Sequence, residues 1–288
     1  MRHWFKYYLT PIQGASSSQG IDRHFQDHQK AMGGYEADVA YATQESFFTQ
    51  YLWMYHSGRL AFYAQFLVKH LKKEWCVLSV ASGRCANEMY LHENGYDVTC
   101  SDLEVFGAYP QTQQLFPALR WRPYNVLQGP FPRPFDAVMC LSLIYLFDDN
   151  DLDTFFQSVA GSLTPQGSLL LDSAGSPDNS LSWLIHDVLL KGEAYAKKIV
   201  FMLMRRGRPA VVKKHHGYRR TDRELIQAAV RNGFRLIARE DGAFLIDFER
   251  SSILGRIIKW HPLISKTFSF LGRTNPYIRM FKFQRIAD

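Results

Sequence analysis

Between residues 76 and 172 short apolar runs alternate with helical stretches, and this alternation constrains the fold more than any other feature of the chain. Runs at 76–81, 97–101, 119–124, 135–141 and 168–172 have the length and composition of buried strands. Helical stretches at 86–94 and 149–163 lie between them. Gly95 stands where a helix C-terminal cap belongs, and Pro165 and Gly167 end the second stretch. Parallel strands joined by helices need right-handed crossovers, so the pattern predicts an α/β, doubly wound, mostly parallel sheet.

Upstream, apolar residues from Phe47 to Leu71 recur at spacings near 3.6, which predicts helices over 36–73. Residues 1–34 are polar and broken, the pattern of a loose arm. Downstream, 177–206 reads as helical. A helix over 221–232 opens on a capping box, Thr221 followed by Glu224. The runs 234–239 and 243–248 alternate like strands, 251–272 is apolar and basic with a break at Pro262, and 277–286 reads as a last strand.

Hydrophobic residues make up 47% of the 288 and charged residues 21%, which excludes a wholly disordered chain. No stretch approaches the roughly 20 apolar residues of a membrane span. The first ten residues, MRHWFKYYLT, lack the apolar core of a secretion signal, so a cytoplasmic location is expected. Cys76, Cys85, Cys100 and Cys140 form no CxxC pair and are expected as buried, reduced thiols. Charge is uneven. Residues 1–190 hold 12 Lys and Arg against 19 Asp and Glu, and residues 191–288 hold 22 against 8. A basic final third suits an anionic partner: a glycan, a nucleic acid or a membrane surface.

The chemistry is concentrated in residues 77–104, VLSVASGRCANEMYLHENGYDVTCSDLE. A buried strand enters a turn at Ser82–Gly83, a helix starts just after, and the next strand ends on Asp102. A glycine lets backbone approach a ligand, and a helix N-terminus presents unpaired amides. A carboxylate at the tip of the second strand can accept both hydroxyls of a ribose. The glycine pattern is not the G-x-G-x-x-G of a dinucleotide cradle, because Ala81-Ser82-Gly83-Arg84-Cys85 keeps one glycine.

This stretch resembles motif I of the class I S-adenosylmethionine-dependent methyltransferases, and the likeness runs over about 74–172. Asp102 matches the ribose acid, Asn125-Val126 the pair beside the adenine, Phe135-Asp136-Ala137-Val138 the start of the fourth strand, and LTPQGSLLL at 163–171 the passage into the fifth. The first and third motif glycines are Ala81 and Cys85, and Ser79 replaces the acid near the methionine amino group. The run also looks like methyltransferases of cell-surface polysaccharide clusters. The resemblance implies a Rossmann-like seven-stranded sheet with an N-terminal helical cap and a C-terminal insertion. The expected parts are 1–73 as arm and cap, 74–175 as cofactor-binding core, and 176–288 as lid and closing part of the sheet, within one catalytic domain.

It further implies S-adenosyl-L-methionine as cofactor, held by Ala81, Ser82, Gly83, Arg84, Asn87, Asp102, Leu103, Asn125, Val126 and Leu141, with Arg59 on the cofactor carboxylate. Glu88 is an alternative to Asn87 at the methionine end. An oxygen acceptor of high pKa needs a general base. The candidates are His215 and His216, from a loop expected to return over the sheet edge, and Asp172 at the tip of the fifth strand. The acids at 148–151 abut a helix start, where Asp and Asn cap, so no metal is expected. Three readings stay open: O-methylation of a polar acceptor such as a glycan sugar, RNA methylation, or an inactive binding protein. Peripheral contact with the inner membrane face goes with the basic, apolar stretch at 251–272.

Overall fold

The computed structural model describes residues 57–83, 85–103, 116–176, 191–203, 218–242, 253–274 and 278–286, with single positions between them. The expected arm at 1–34, the helices expected before residue 57, and the pair His215-His216 lie outside the described residues.

Seven strands form one sheet: β1 (Cys76–Val80), β2 (Asp97–Asp102), β3 (Arg120–Pro123), β4 (Phe135–Cys140), β5 (Leu163–Ala174), β6 (Phe234–Gly242) and β7 (Ile278–Arg285). Their order is β3-β2-β1-β4-β5-β7-β6. The first five run parallel, and β7 lies antiparallel between β5 and β6. Strand order reverses between β1 and β4, and ligands of open α/β sheets sit at the C-terminal edge of such a switch point. This is the Rossmann-like, seven-stranded sheet expected, closed by one antiparallel hairpin.

Helices cover both faces: α1 (Ser57–His70), α2 (Ala86–Glu93), α3 (Asp149–Ser162), α4 (Lys191–Leu203), α5 (Asp222–Arg231), α6 (Leu254–Trp260) and α7 (Pro262–Gly272). Side chains alternate across the sheet, so neighbours in one strand feed different cores. Val77 joins Tyr63, Leu67, Leu91, Met139 and Met280 on one face. Leu78 joins Phe155, Phe156, Val159, Leu225 and Phe283 on the other. A strand buried on both faces reads as a nearly continuous apolar run, and Cys76–Val80 does so apart from Ser79, which is buried and hydrogen-bonded.

Capping fixes where the helices begin. Asp148 accepts a hydrogen bond from the Asp151 amide at 2.9 Å and starts α3. Asp149 pairs with Arg220 at 3.1 Å. The acids at 148–151 are therefore a cap and an ion pair. Thr221 and Glu224 form both halves of the expected capping box at the start of α5. Pro262 is the first residue of α7 and separates it from α6, as its missing N–H requires.

One expected strand does not appear among the described residues. Phe244 and Leu245 lie in a turn and Phe248 is helical, where alternation predicted a strand over 243–248. The reason is partnership. Gly242 pairs with Ile278, the first residue of β7, so beyond Gly242 no strand remains for the chain to join. The connection from β6 to β7 therefore leaves and re-enters at the C-terminal edge of β5, and carries α6 and α7 there. Among the described residues no helix is long and apolar enough to cross a membrane.

Candidate functional site: the turn after β1

The turn leaving β1 is held from below. The Ser82 amide donates to the Ser101 carbonyl at 2.9 Å, and the Ser101 amide donates back to Ser82 Oγ at 3.0 Å. Ser101 Oγ and Ser82 Oγ both donate to the Ser79 carbonyl, at 2.6 and 3.2 Å. β1, the turn and β2 thus form one hydrogen-bonded unit.

Within it, Ala81, Gly83 and Cys85 all have positive φ, of 56°, 52° and 59°. These are the three positions that correspond to the glycines of the motif the sequence resembles. The backbone keeps the left-handed conformation although two residues carry a Cβ, at about 1–2 kcal/mol of strain each. A Cβ built on Gly83 meets nothing within 4 Å, so this position opens onto free space and not onto protein. Cys85 is the N-cap of α2 and offers no side-chain cap, which leaves the helix N-terminus facing the turn. Ala81→Gly is expected to stabilise the fold by about 0.5–1 kcal/mol, the relieved strain less the entropy of the freer unfolded chain. A thermal melt checks this; a lower melting temperature would mean that Ala81 is unstrained.

Asp102 closes the far side. One carboxylate oxygen accepts from the Gly83 amide at 2.9 Å and the other from the Leu103 amide at 2.8 Å. The side chain is 6% exposed. The bond to Gly83 ties the acid directly to the turn and fixes its orientation at the sheet edge. Asn125 accepts from the Leu127 amide at 3.0 Å, opening a 3-10 turn that buries Val126. The Tyr124 amide donates to the Asp102 carbonyl at 2.8 Å, so this segment is fastened to the end of β2.

Glu88 packs against Ser79 of β1. It sits in the first turn of α2, 3% exposed, and Ser79 Oγ donates to its Oε1 at 2.5 Å. Its other oxygen, Oε2, is buried with no hydrogen-bond partner among the described residues, and so is Asn87 Oδ1 beside it. Burial raises the Glu88 pKa from 4.5 to about 7; the Ser79 bond opposes the rise and Asp102 adds to it.

Asp172, on β5, is 6% exposed. It accepts from the Ser142 amide at 2.5 Å and from the Tyr63 hydroxyl. Ser142 itself has φ of 59°. Asp172 therefore holds the strained turn after β4 and joins it to α1. Leu141 is partly buried next to it. The side chains of Arg59 and Arg84 lie outside the described residues, although Arg59 belongs to α1.

Three buried arginines escaped the sequence reading. Arg219 donates to the Gly175 and Ser176 carbonyls, and Arg220 to those of Ile144 and Phe147. Arg279 donates to Ser173 Oγ, to the Arg220 carbonyl and to Asp222. They strap the segments after β4 and β5 together. The cysteines are free thiols, and Cys85, Cys100 and Cys140 are buried. The Cys85 thiol is pushed well above its usual range, first by its hydrogen bond to Cys100 and then by burial. Burial does the same to Cys140, with Asp172 and Asp102 adding to it. Such thiols are poor nucleophiles.

No protein-family model matches the chain, and no curated protein matches it in sequence. Solved structures do match in shape. The magnesium protoporphyrin IX methyltransferase of Synechocystis PCC 6803, solved with bound S-adenosylhomocysteine, aligns over 94% of this chain and 100% of its own, with TM-score 0.55 and 14% identity. The 1,6-didemethyltoxoflavin-N1-methyltransferase of Burkholderia thailandensis covers 86% and 93%, with TM-score 0.51 and 14% identity. The glycopeptide N-methyltransferase MtfA covers 77% and 87%, with TM-score 0.51 and 14% identity. The chain has the fold of these S-adenosylmethionine-dependent methyltransferases.

Proposed function

We propose that the chain is an S-adenosylmethionine-dependent methyltransferase. The observation that carries this reading is the turn after β1, whose residues 81, 83 and 85 keep left-handed backbone, two of them against side-chain strain, directly beside Asp102. Gly83 faces free space, as a cradle for a ligand must. Asp102 takes the ribose hydroxyls, Ala81, Ser82 and Gly83 face the cofactor through backbone, Arg84 is assigned to the cofactor from the motif alone, Leu103, Asn125 and Val126 flank the adenine, and Leu141 borders the pocket. Asn87 and Glu88, each with a buried oxygen that has no partner among the described residues, take the methionine end, and Arg59 its carboxylate. When bound, the cofactor supplies a methyl group already activated on sulfonium sulfur. The protein's own task is then to hold an acceptor in line with that bond, and orientation alone accounts for several kcal/mol of the barrier.

The acceptor in this reading is polar, a glycan sugar hydroxyl in the first instance, with His215 or His216 as the base. Neighbours of this shape methylate a porphyrin, a toxoflavin precursor and a glycopeptide, so the fold sets no acceptor. Asp172 holds Tyr63 and the Ser142 turn at the sheet edge, a positioning role beside the acceptor.

Isothermal titration with S-adenosylmethionine tests the reading. Asp102→Ala is expected to weaken binding about ten- to a hundredfold, since a charge-assisted contact contributes roughly 1.5–3 kcal/mol. Unchanged affinity in a folded variant would overturn the ribose assignment, and no binding by the wild type would leave the chain a relative in fold alone. Labelled-methyl transfer to nucleotide sugars, lipid-linked glycans and total RNA then selects the acceptor.

A further inference from the structure

The connection between β6 and β7 carries a second feature. α6 and α7 already have an inner apolar face: Ile258, 3% exposed, packs with Leu254, Phe248 and Phe268 in a small cluster of its own. Phe248 and Phe268 meet edge to face at 5.2 Å. A helix pair with its inner face satisfied should turn polar residues outward. This pair does not. Trp260 is 83% exposed, Phe270 67%, Leu263 65% and Ile253 59%. Between them stand Arg256, Lys259, Lys266 and Arg273, all exposed. No Asp or Glu occurs from residue 251 to 287.

We propose that the outer face of α6 and α7 docks on an anionic phospholipid bilayer. Large apolar side chains set among cations, with no acid on either helix and Glu193 of α4 reaching the patch only at its edge, the Ile253 amide, match a surface that offers acyl chains below a layer of phosphates. Charge complementarity picks this occupant over the others. A second copy of the chain would bring four cations against four more. A nucleic acid would answer the cations but leave Leu263 and Ile253 in contact with phosphate and water. Trp260 and Leu263 flank the break between the two helices at His261 and Pro262, the part that would enter deepest.

The placement has a consequence for the site. β6 ends and β7 begins at the C-terminal edge of β5, the edge that bears Gly83 and Asp102. Asn179, just after β5, donates to the Thr274 carbonyl at the end of α7, fastening the helices to that edge. A docked protein therefore presents its cofactor edge near the headgroups, and the acceptor it meets there is a polar group carried on a lipid. That last step rests on the methyltransferase reading; the docking does not.

Vesicle flotation of the full chain tests the docking, with phosphatidylglycerol-containing vesicles against pure phosphatidylcholine. The wild type is expected to float with the anionic vesicles at low ionic strength and to be released by molar salt. Arg256→Glu with Lys259→Glu should weaken partition about thirtyfold or more, since each basic residue near such a surface contributes about fivefold. Trp260→Ser with Leu263→Ser should abolish flotation while leaving affinity for S-adenosylmethionine unchanged, because neither residue touches the turn after β1. Three results would each overturn the docking: wild type remaining at the bottom with anionic vesicles, flotation that ignores both double variants, or a dimer or RNA complex that Trp260→Ser with Leu263→Ser disrupts in place of flotation. Loss of S-adenosylmethionine binding with flotation intact would sink the methyltransferase reading and leave the docking standing.

Discussion

Gly83→Val is expected to abolish S-adenosylmethionine binding while the protein still melts cooperatively. Two effects add. A β-branched residue at φ of 52° is forced into a backbone region it avoids, at about 1–2 kcal/mol or more. Its methyl groups then fill the space that a Cβ at this position finds open, the space the proposed cofactor needs. The Gly83 amide also donates to Asp102, so a shift of the turn disturbs the ribose acid as well. Calorimetric titration and a thermal melt together check this. A Gly83→Val protein that binds normally would make the turn structural only. Gly83→Ala is the graded control, because its single methyl fits the strain but fills less of the space.

Glu88→Gln should move stability and binding in opposite directions. In the folded protein Glu88 titrates at about 7, against an ordinary 4.5. Between those values the native state holds a proton that the unfolded state has released. Stability therefore falls as pH rises through that window and is fully retained only below 4.5. The variant lacks this dependence. It should match the wild type near pH 4.5 and exceed it above pH 7 by on the order of 3 kcal/mol. Denaturant melts at the two pH values read the difference; an equal gap at both would show that Glu88 is not the titrating group. Binding should go the other way. An ammonium group set against Glu88 favours its ionised form, so the wild type should release a proton on binding S-adenosylmethionine at pH 6 and the variant should not. Titration in two buffers of different ionisation heat measures that proton. The stabilised variant is then the weaker binder, the trade often found where a site keeps a buried polar group for its ligand.

The central half of the fold was legible because its strands are buried on both faces. Val77, Leu78 and Val80 had to be apolar because the strand is covered on both faces, and such runs separated by capped helices leave few architectures. The capping box at Thr221 was legible for a local reason, since both its hydrogen bonds span three residues. The second strand read into 243–248 failed on a non-local one. Alternation describes a half-buried surface, but a strand also needs an edge to join, and β7 begins opposite Gly242.

The site divides in the same way. Gly83 and Asp102 stood out from position alone, at the ends of consecutive strands. Glu88 entered only as an alternative to Asn87, and its burial was not legible, because an acid in the first turn of a helix is ordinary dipole chemistry. Only the approach of α2 to Ser79 makes it a buried carboxyl. The charge reading met a similar limit. Arg219, Arg220 and Arg279 counted toward a basic surface, yet each is 3% exposed or less and spends its donors on carbonyls and side chains of the protein. Nothing local distinguishes an arginine bound for the core from one bound for solvent.

The place of β7 bears on how the chain folds. Its residues come last among the strands, yet it lies between β5 and β6. As the polypeptide emerges from the ribosome, β1 to β5 can pair in parallel as soon as residue 174 is free. β5 and β6 then wait, each with a row of amides and carbonyls unmet, until residues 278–285 have been made. Unpaired edges of this kind are templates for association with other chains. The nascent protein is thus most exposed to aggregation between synthesis of residue 174 and of residue 285, and the arrival of a single strand closes both facing edges at once.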